Sequence, residues 1–202
     1  MVKIDYKKEL KPLYSPSKKK IEIVNVPKMN FLMIDGDGGP SAPAFKDAIE
    51  ALYPLSYTLK FMIKKSNIDI DYGVLPLEGL WWSDDMSSFT TGDKDQWKWT
   101  LMIMQPELVT EKMVQEAFEQ VKIKKNPASL SLVKFKAFEE GKVAQITHIG
   151  PFSNEGPTIE KLHAFIAENG QQRMGKHHEI YLSDIRRAAP EKLKTIIRQP
   201  MS

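Results

Sequence analysis

One short phrase occurs twice in this chain. Ile34-Asp35-Gly36-Asp37-Gly38-Gly39-Pro40 leads into a helical stretch, and Ile146-Thr147-His148-Ile149-Gly150-Pro151-Phe152 leads into another. Each copy closes on a related strand end, Ile103-Met104-Gln105-Pro106 in the first and Ile197-Arg198-Gln199-Pro200 in the second. A doubled unit restricts the chain to two similar half-domains side by side with a seam between them. Junctions of that kind are where small molecules bind.

The apolar spacing changes in the same order within each copy. Phe31-Leu32-Met33-Ile34 reads as a strand ended by a Gly-rich turn. Phe45, Ile49, Leu52, Leu55, Leu59, Met62 and Ile63 then repeat at three- and four-residue steps, the period of a helix. Pro43 stands near its start, and Pro54 is expected to kink or split it. Tyr72 to Trp82 and Trp97 to Met104 read as strands around a polar loop, Ser83-Asp84-Asp85-Met86-Ser87-Ser88. In the second copy Val143 to Ile149 is a strand, and Ile159, Leu162, Phe165 and Ile166 form one helical stripe closed by Gly170. Glu179 to Ile185 and Thr195 to Arg198 complete it. Val133 to Phe138 and Val143 to Ile149 flank Glu139-Glu140-Gly141-Lys142, which reads as a hairpin. Each half is therefore strand, helix, strand, strand. The chain divides into a polar arm at 1–20, a first half at 21–106, a linking helix and loop at 107–131 (capped by Thr110) and a second half at 132–202, all within one domain.

Composition narrows the chemistry. There is no cysteine, which removes disulfides, thiolate nucleophiles and thiolate metal sites. The net charge of +3 is too balanced to argue for nucleic acid, so no direct nucleic-acid binding is expected. Lys18-Lys19-Lys20 reads as a solvated flank ahead of a phosphate-binding role. No signal-peptide core and no membrane-length apolar run is present, and a cytoplasmic protein is expected. His177 and His178 are adjacent, so their rings diverge in a strand, and His148 and His163 stand alone in the sequence. With no metal-ligand spacing and no P-loop, no metal and no cofactor are expected. The sequence carries no indication of oligomeric state.

Three stretches bear a family likeness: Tyr53-Pro54-Leu55 with Tyr57-Thr58-Leu59-Lys60-Phe61, Pro76-Leu77-Glu78-Gly79-Leu80-Trp81-Trp82, and Glu179-Ile180-Tyr181-Leu182-Ser183-Asp184. On these the chain resembles the GyrI-like small-molecule-binding family from about Ile21 to Pro200. It departs from that pattern at Asp184-Ile185-Arg186-Arg187, where relatives often carry a proline soon after the aspartate. The resemblance implies an α+β fold in which tandem duplicated strand-helix-strand-strand units form an antiparallel sheet, with helices on one side and an aromatic cleft between the halves. It also implies two kinds of activity. Some relatives are ligand domains of multidrug-responsive activators, and some free-standing ones hydrolyse the strained cyclopropane of DNA-alkylating natural products with a cleft glutamate. Nothing before Ile21 reads as a helix-turn-helix.

The candidate residues follow from alternation and from aromatic content. Glu179 and Tyr181 share one face of their strand while Ile180 and Leu182 take the other. A carboxylate among aromatic rings loses hydration and becomes a useful acid or base, or it holds a cationic ligand; a solvent-exposed rim position is the alternative. Tyr181 is a candidate hydrogen-bond donor to the same substrate or a structural tyrosine. All four tryptophans, Trp81, Trp82, Trp97 and Trp99, fall on two neighbouring strands, enough indole to sandwich a flat ligand. Glu78 is either a second cleft acid or a structural tie, and Tyr53, Phe45 and Tyr72 are candidates for one wall. Two principal readings stay open: hydrolysis of a strained electrophilic ring with Glu179 as acid or base and Tyr181 as orienting donor, or binding and sequestering of flat hydrophobic or cationic molecules without chemistry. A gyrase-inhibitor-like grip on another protein is a third.

Overall fold

In the computed structural model, which describes residues 1–85, 92–184 and 187–202, both copies of the repeated phrase end a strand and turn toward a helix. The chain begins with β1 (Val2–Ile4), α1 (Tyr6–Glu9), α2 (Lys11–Tyr14) and β2 (Glu22–Val26). The first half follows as β3 (Met29–Asp37), α3 (Pro43–Lys65), β4 (Ile70–Tyr72), β5 (Leu77–Trp82) and β6 (Lys98–Gln105). After α4 (Glu111–Lys124) and β7 (Lys134–Phe138) comes the second half: β8 (Gly141–Ile149), α5 (Gly156–Glu168), β9 (His177–Tyr181) and β10 (Lys194–Pro200). Residues 86–88 of the polar stretch Ser83 to Ser88, and residues 185 and 186 after Asp184, lie outside the described residues.

Eight strands form one antiparallel sheet in the order β2-β8-β10-β9-β5-β6-β3-β7, while β4 pairs in parallel with β1. The seam is the β5–β9 contact, and the order outward from it is the same on both sides, β5-β6-β3 and β9-β10-β8. The duplication read from the sequence is therefore a repeat of topology. The hairpin expected between residues 133–138 and 143–149 is not formed. β7 pairs with β3 and β2 pairs with β8, so the strand leading into each half joins the edge of the other half.

That exchange forces the sheet to curl. Phe138 and Gly141 are three residues apart, a reach of roughly 10 Å. Their strands stand six positions apart, roughly 29 Å across a flat sheet. Only a half-barrel brings them together. Its concave face gathers apolar residues from all eight strands, among them Val26, Phe31, Leu80, Met102, Phe138, Val143, Ile180 and Ile196.

The N-terminal arm, polar in overall composition, fills that concavity with its few apolar side chains. Pro12 falls in the first turn of α2, where its missing N–H is tolerated, and the turn buries Leu13 and Tyr14. Arg198 Nη2 donates to the Leu13 carbonyl at 2.8 Å and Thr147 Oγ1 donates to that of Pro16 at 2.9 Å. Lys18, Lys19 and Lys20 remain exposed.

The helices cover the convex face. α3 packs Leu52, Leu55 and Leu59 against Leu32, Ile34, Leu101 and Ile103, and α5 packs Leu162 and Ile166 against Ala144 and Ile197. Pro54 does not split α3. Leu52 and Leu55 are buried on either side of it, and tertiary packing holds one helix from Pro43 to Lys65. Thr110 caps α4 by accepting from the Met113 N–H. No described helix is long and apolar enough to cross a membrane.

Candidate functional site

The seam forms the floor of a cleft between α3 and α5. Its register sets Leu77 opposite Tyr181, Gly79 opposite Glu179 and Trp81 opposite His177. These six residues share the helix-facing side, because Ile180 of the same strand belongs to the concave cluster. Glu179 and Tyr181 thus lie on the face that the helices cover, and it is the arm-filled face that takes Ile180 and Leu182.

Gly79 makes the central contact possible. A Cβ there would come within 2.9 Å of Trp81 Nε1 and 3.0 Å of the Tyr181 hydroxyl. In the space it leaves, Trp81 Nε1 donates to Tyr181 Oη at 3.0 Å, and Tyr181 Oη donates to Glu179 Oε2 at 2.7 Å. The other carboxylate oxygen of Glu179 lies 3.1 Å from His177 Nε2. The Glu179 side chain is only 16% exposed.

A second carboxyl group stands beside it. Glu155, at the N-terminus of α5, is buried, adopts helical backbone angles and makes no capping hydrogen bond. Its Oε1 has no hydrogen-bond partner among the described residues. Burial and the adjacent Glu179 charge push its pKa well up. Burial acts upward on Glu179 too, but the contacts from His177 and Tyr181 outweigh it and hold that carboxyl below the ordinary range. Burial, the Glu179 charge and the hydrogen bond to it raise the Tyr181 phenol well above its usual value. Two neighbouring carboxyl groups pushed in opposite directions make an acid–carboxylate pair.

The surrounding walls are aromatic. Phe45 stacks on Trp81 with centroids 5.6 Å apart, Trp97 meets the Trp81 edge at 5.9 Å, and Phe152 meets Tyr181 at 5.7 Å. Tyr53 stacks on Tyr57 farther along α3. The open cleft they line has a volume of about 2700 Å³. Trp82 sits at its margin, with the Lys176 ammonium 3.1 Å above the ring.

Three candidates lie elsewhere. Trp99 is buried against Gly36, its strand partner, and its Nε1 donates to the Asp37 carbonyl at 3.2 Å. Tyr72 packs edge-on against Tyr6 in the core under α3. Glu78 points into the concave interior, where Oε1 accepts from Tyr14 Oη at 2.6 Å and Oε2 lies 2.9 Å from His178 Nε2. Its role there is that of a tie. His178 is clamped from its other side by Glu140, which also holds Arg198.

Glu155, His177 and Phe152 were not among the expected site residues. His177 was within reach, since the alternation that joins Tyr181 to Glu179 puts His177 on the same face. Glu155 carried no such signal, since it lies outside the strands of the seam and comes beside Glu179 only through the tertiary fold.

Comparison with known proteins places this geometry. A family model described as the GyrI-like small molecule binding domain matches residues 19–201. No protein with a curated description matches the chain. Among solved structures, an uncharacterized conserved protein from Listeria innocua is 45% identical, with a TM-score of 0.91, over 98% of this chain and 100% of that one. A hydrolase from the same organism is 43% identical, with a TM-score of 0.85 and the same coverage. The EcmrR C-terminal domain, 12% identical with a TM-score of 0.55 over 91% of this chain and 97% of that one, shares the fold.

Proposed function

The chain belongs to the GyrI-like small-molecule-binding family, and from that premise we propose that it binds flat, hydrophobic electrophiles in the cleft and adds water to a strained ring. The observation that carries this reading is the Glu179–Glu155 pair at the floor of an aromatic cleft, with Tyr181 and His177 on Glu179. That a similar Listeria protein is described as a hydrolase supports it.

The chemistry follows from the pair. An ionised Glu179 takes a proton from a water molecule as its oxygen bonds to a ring carbon. The strained carbon–carbon bond breaks, and its electrons move into a conjugated carbonyl of the substrate. Glu155, holding its proton, protonates the oxygen where that charge collects. Transfer of the proton from Glu179 back to Glu155 restores the starting state, and the net change is addition of one water. Tyr181, fixed by Trp81, keeps the Glu179 carboxylate oriented. Release of ring strain drives the reaction, so positioning and proton transfer are sufficient catalysis.

The test is incubation with a panel of aromatic, strained-ring electrophiles followed by mass analysis. A gain of one water with the parent protein, lost in Glu179→Gln while tryptophan quenching by the same compound persists, supports hydrolysis. Recovery of every compound intact at stoichiometric occupancy would reduce the function to sequestering.

A further inference from the structure

A second recess lies behind α5, away from the cleft, and none of its lining residues is shared with it. It measures about 330 Å³ and is bordered by Lys18, His148, Thr158 and Lys161. Ahead of β2, the arm runs along the edge of β8, and the Thr147 N–H donates to the Ser17 carbonyl at 2.9 Å. This seats Lys18 beside the strand that carries His148. From the other side α5 brings Thr158 and Lys161.

His148 is the unusual member. The residue is 8% exposed, its Nδ1 lies 2.9 Å from Thr158 Oγ1, and its Nε2 has no partner among the described residues. A buried polar atom without a partner is costly, and natural proteins leave few of them. Gly150, at φ +136°, lies close to Nε2, since a Cβ there would stand 3.3 Å from it. Thr158 Oγ1 and Nδ1 share one hydrogen bond, and in the tautomer where the hydroxyl donates, Nε2 carries the proton and is a donor. Neither Lys18 nor Lys161 forms an ion pair among the described residues. Among the described residues no carboxylate borders the recess.

We infer that this recess binds a small phosphate-bearing anion. One buried N–H donor and two unpaired ammonium groups match the charge and acceptor capacity of a phosphate dianion. The site stands independently of the cleft reading, because it uses different residues and a different ligand.

The test is an NMR titration of the full chain, following the histidine ring nitrogens, with inorganic phosphate and with sodium chloride at matched ionic strength. A parallel arm with phenyl phosphate distinguishes free phosphate from a phosphomonoester. Saturable movement of the His148 ring signals with either phosphate, absent with chloride, is the expected result. Lys18→Ala/Lys161→Ala, both at exposed positions, should weaken that affinity at least tenfold with the rest of the spectrum unchanged. Equal shifts with phosphate and chloride, or a double variant that titrates like the parent, would overturn the assignment.

Discussion

His178 and Glu179 are adjacent in the chain, yet each belongs to a different polar cluster on opposite faces of the sheet. Glu179 meets His177 and Tyr181 in the cleft, while His178 is held between Glu78 and Glu140 in the closed interior. A single strand thereby links the proposed chemistry to the network that closes the half-barrel.

Replacing Glu179 by Gln keeps the shape and removes the base. Turnover of a strained-ring substrate should fall by about a hundredfold or more, with affinity changed by less than threefold. Single-turnover mass analysis and tryptophan quenching measure the two separately.

The carboxyl pair predicts a broad pH profile. Glu179 lies below the ordinary carboxylate range and Glu155 above it. The reactive state, Glu179 ionised and Glu155 protonated, is present between those limits and is lost by protonation of Glu179 in acid or ionisation of Glu155 in alkali. Glu155→Gln should lower kcat and abolish the alkaline limb. A variant with an unaltered profile would show Glu155 to be idle.

Gly79→Ala tests the floor of the cleft. The added methyl meets Trp81 Nε1 and the Tyr181 hydroxyl, so the indole–phenol–carboxylate chain must open. Overpacking of this kind costs about 1–3 kcal/mol. Chemical denaturation should register that loss, and a shifted tryptophan emission maximum should accompany it.

Tyr14→Phe tests the arm. Glu78 Oε1 would lose its donor inside the concavity, at a cost of about 1–3 kcal/mol for an unsatisfied buried acceptor. The urea midpoint should fall accordingly, while the equally conservative Tyr57→Phe, at a half-exposed position, leaves it unchanged.

The interior histidine adds a pH-dependent component to stability. Burial works against the charged form of His178, but Glu140 and Glu78 outweigh it and raise the pKa from 6.5 to about 9. A raised folded-state pKa stabilises fully below the unfolded value and loses that contribution as pH rises through the folded one. Arg198 and Tyr14 border the same cluster. Denaturation midpoints should therefore decline from about pH 6.5 to above pH 9, and His178→Gln should flatten that decline.

Much of this was legible in the residues themselves. The repeated turn phrases, the helical spacing from Phe45 to Ile63 and the alternation from Glu179 to Tyr181 express the geometry of a single helix or strand, and short segments carry such geometry unaided. The order strand, helix, strand, strand in each half followed from them, as did the shared face of Glu179 and Tyr181. Other features depend on which strand edge meets which. β7 joining β3 and not β8, the burial of Trp99 against Gly36, the inward turn of Glu78 toward Tyr14, and the meeting of Glu155 with Glu179 all join segments distant in the chain. Only the closing of the half-barrel decides them, because burial and pairing with remote partners outweigh what any local pattern specifies.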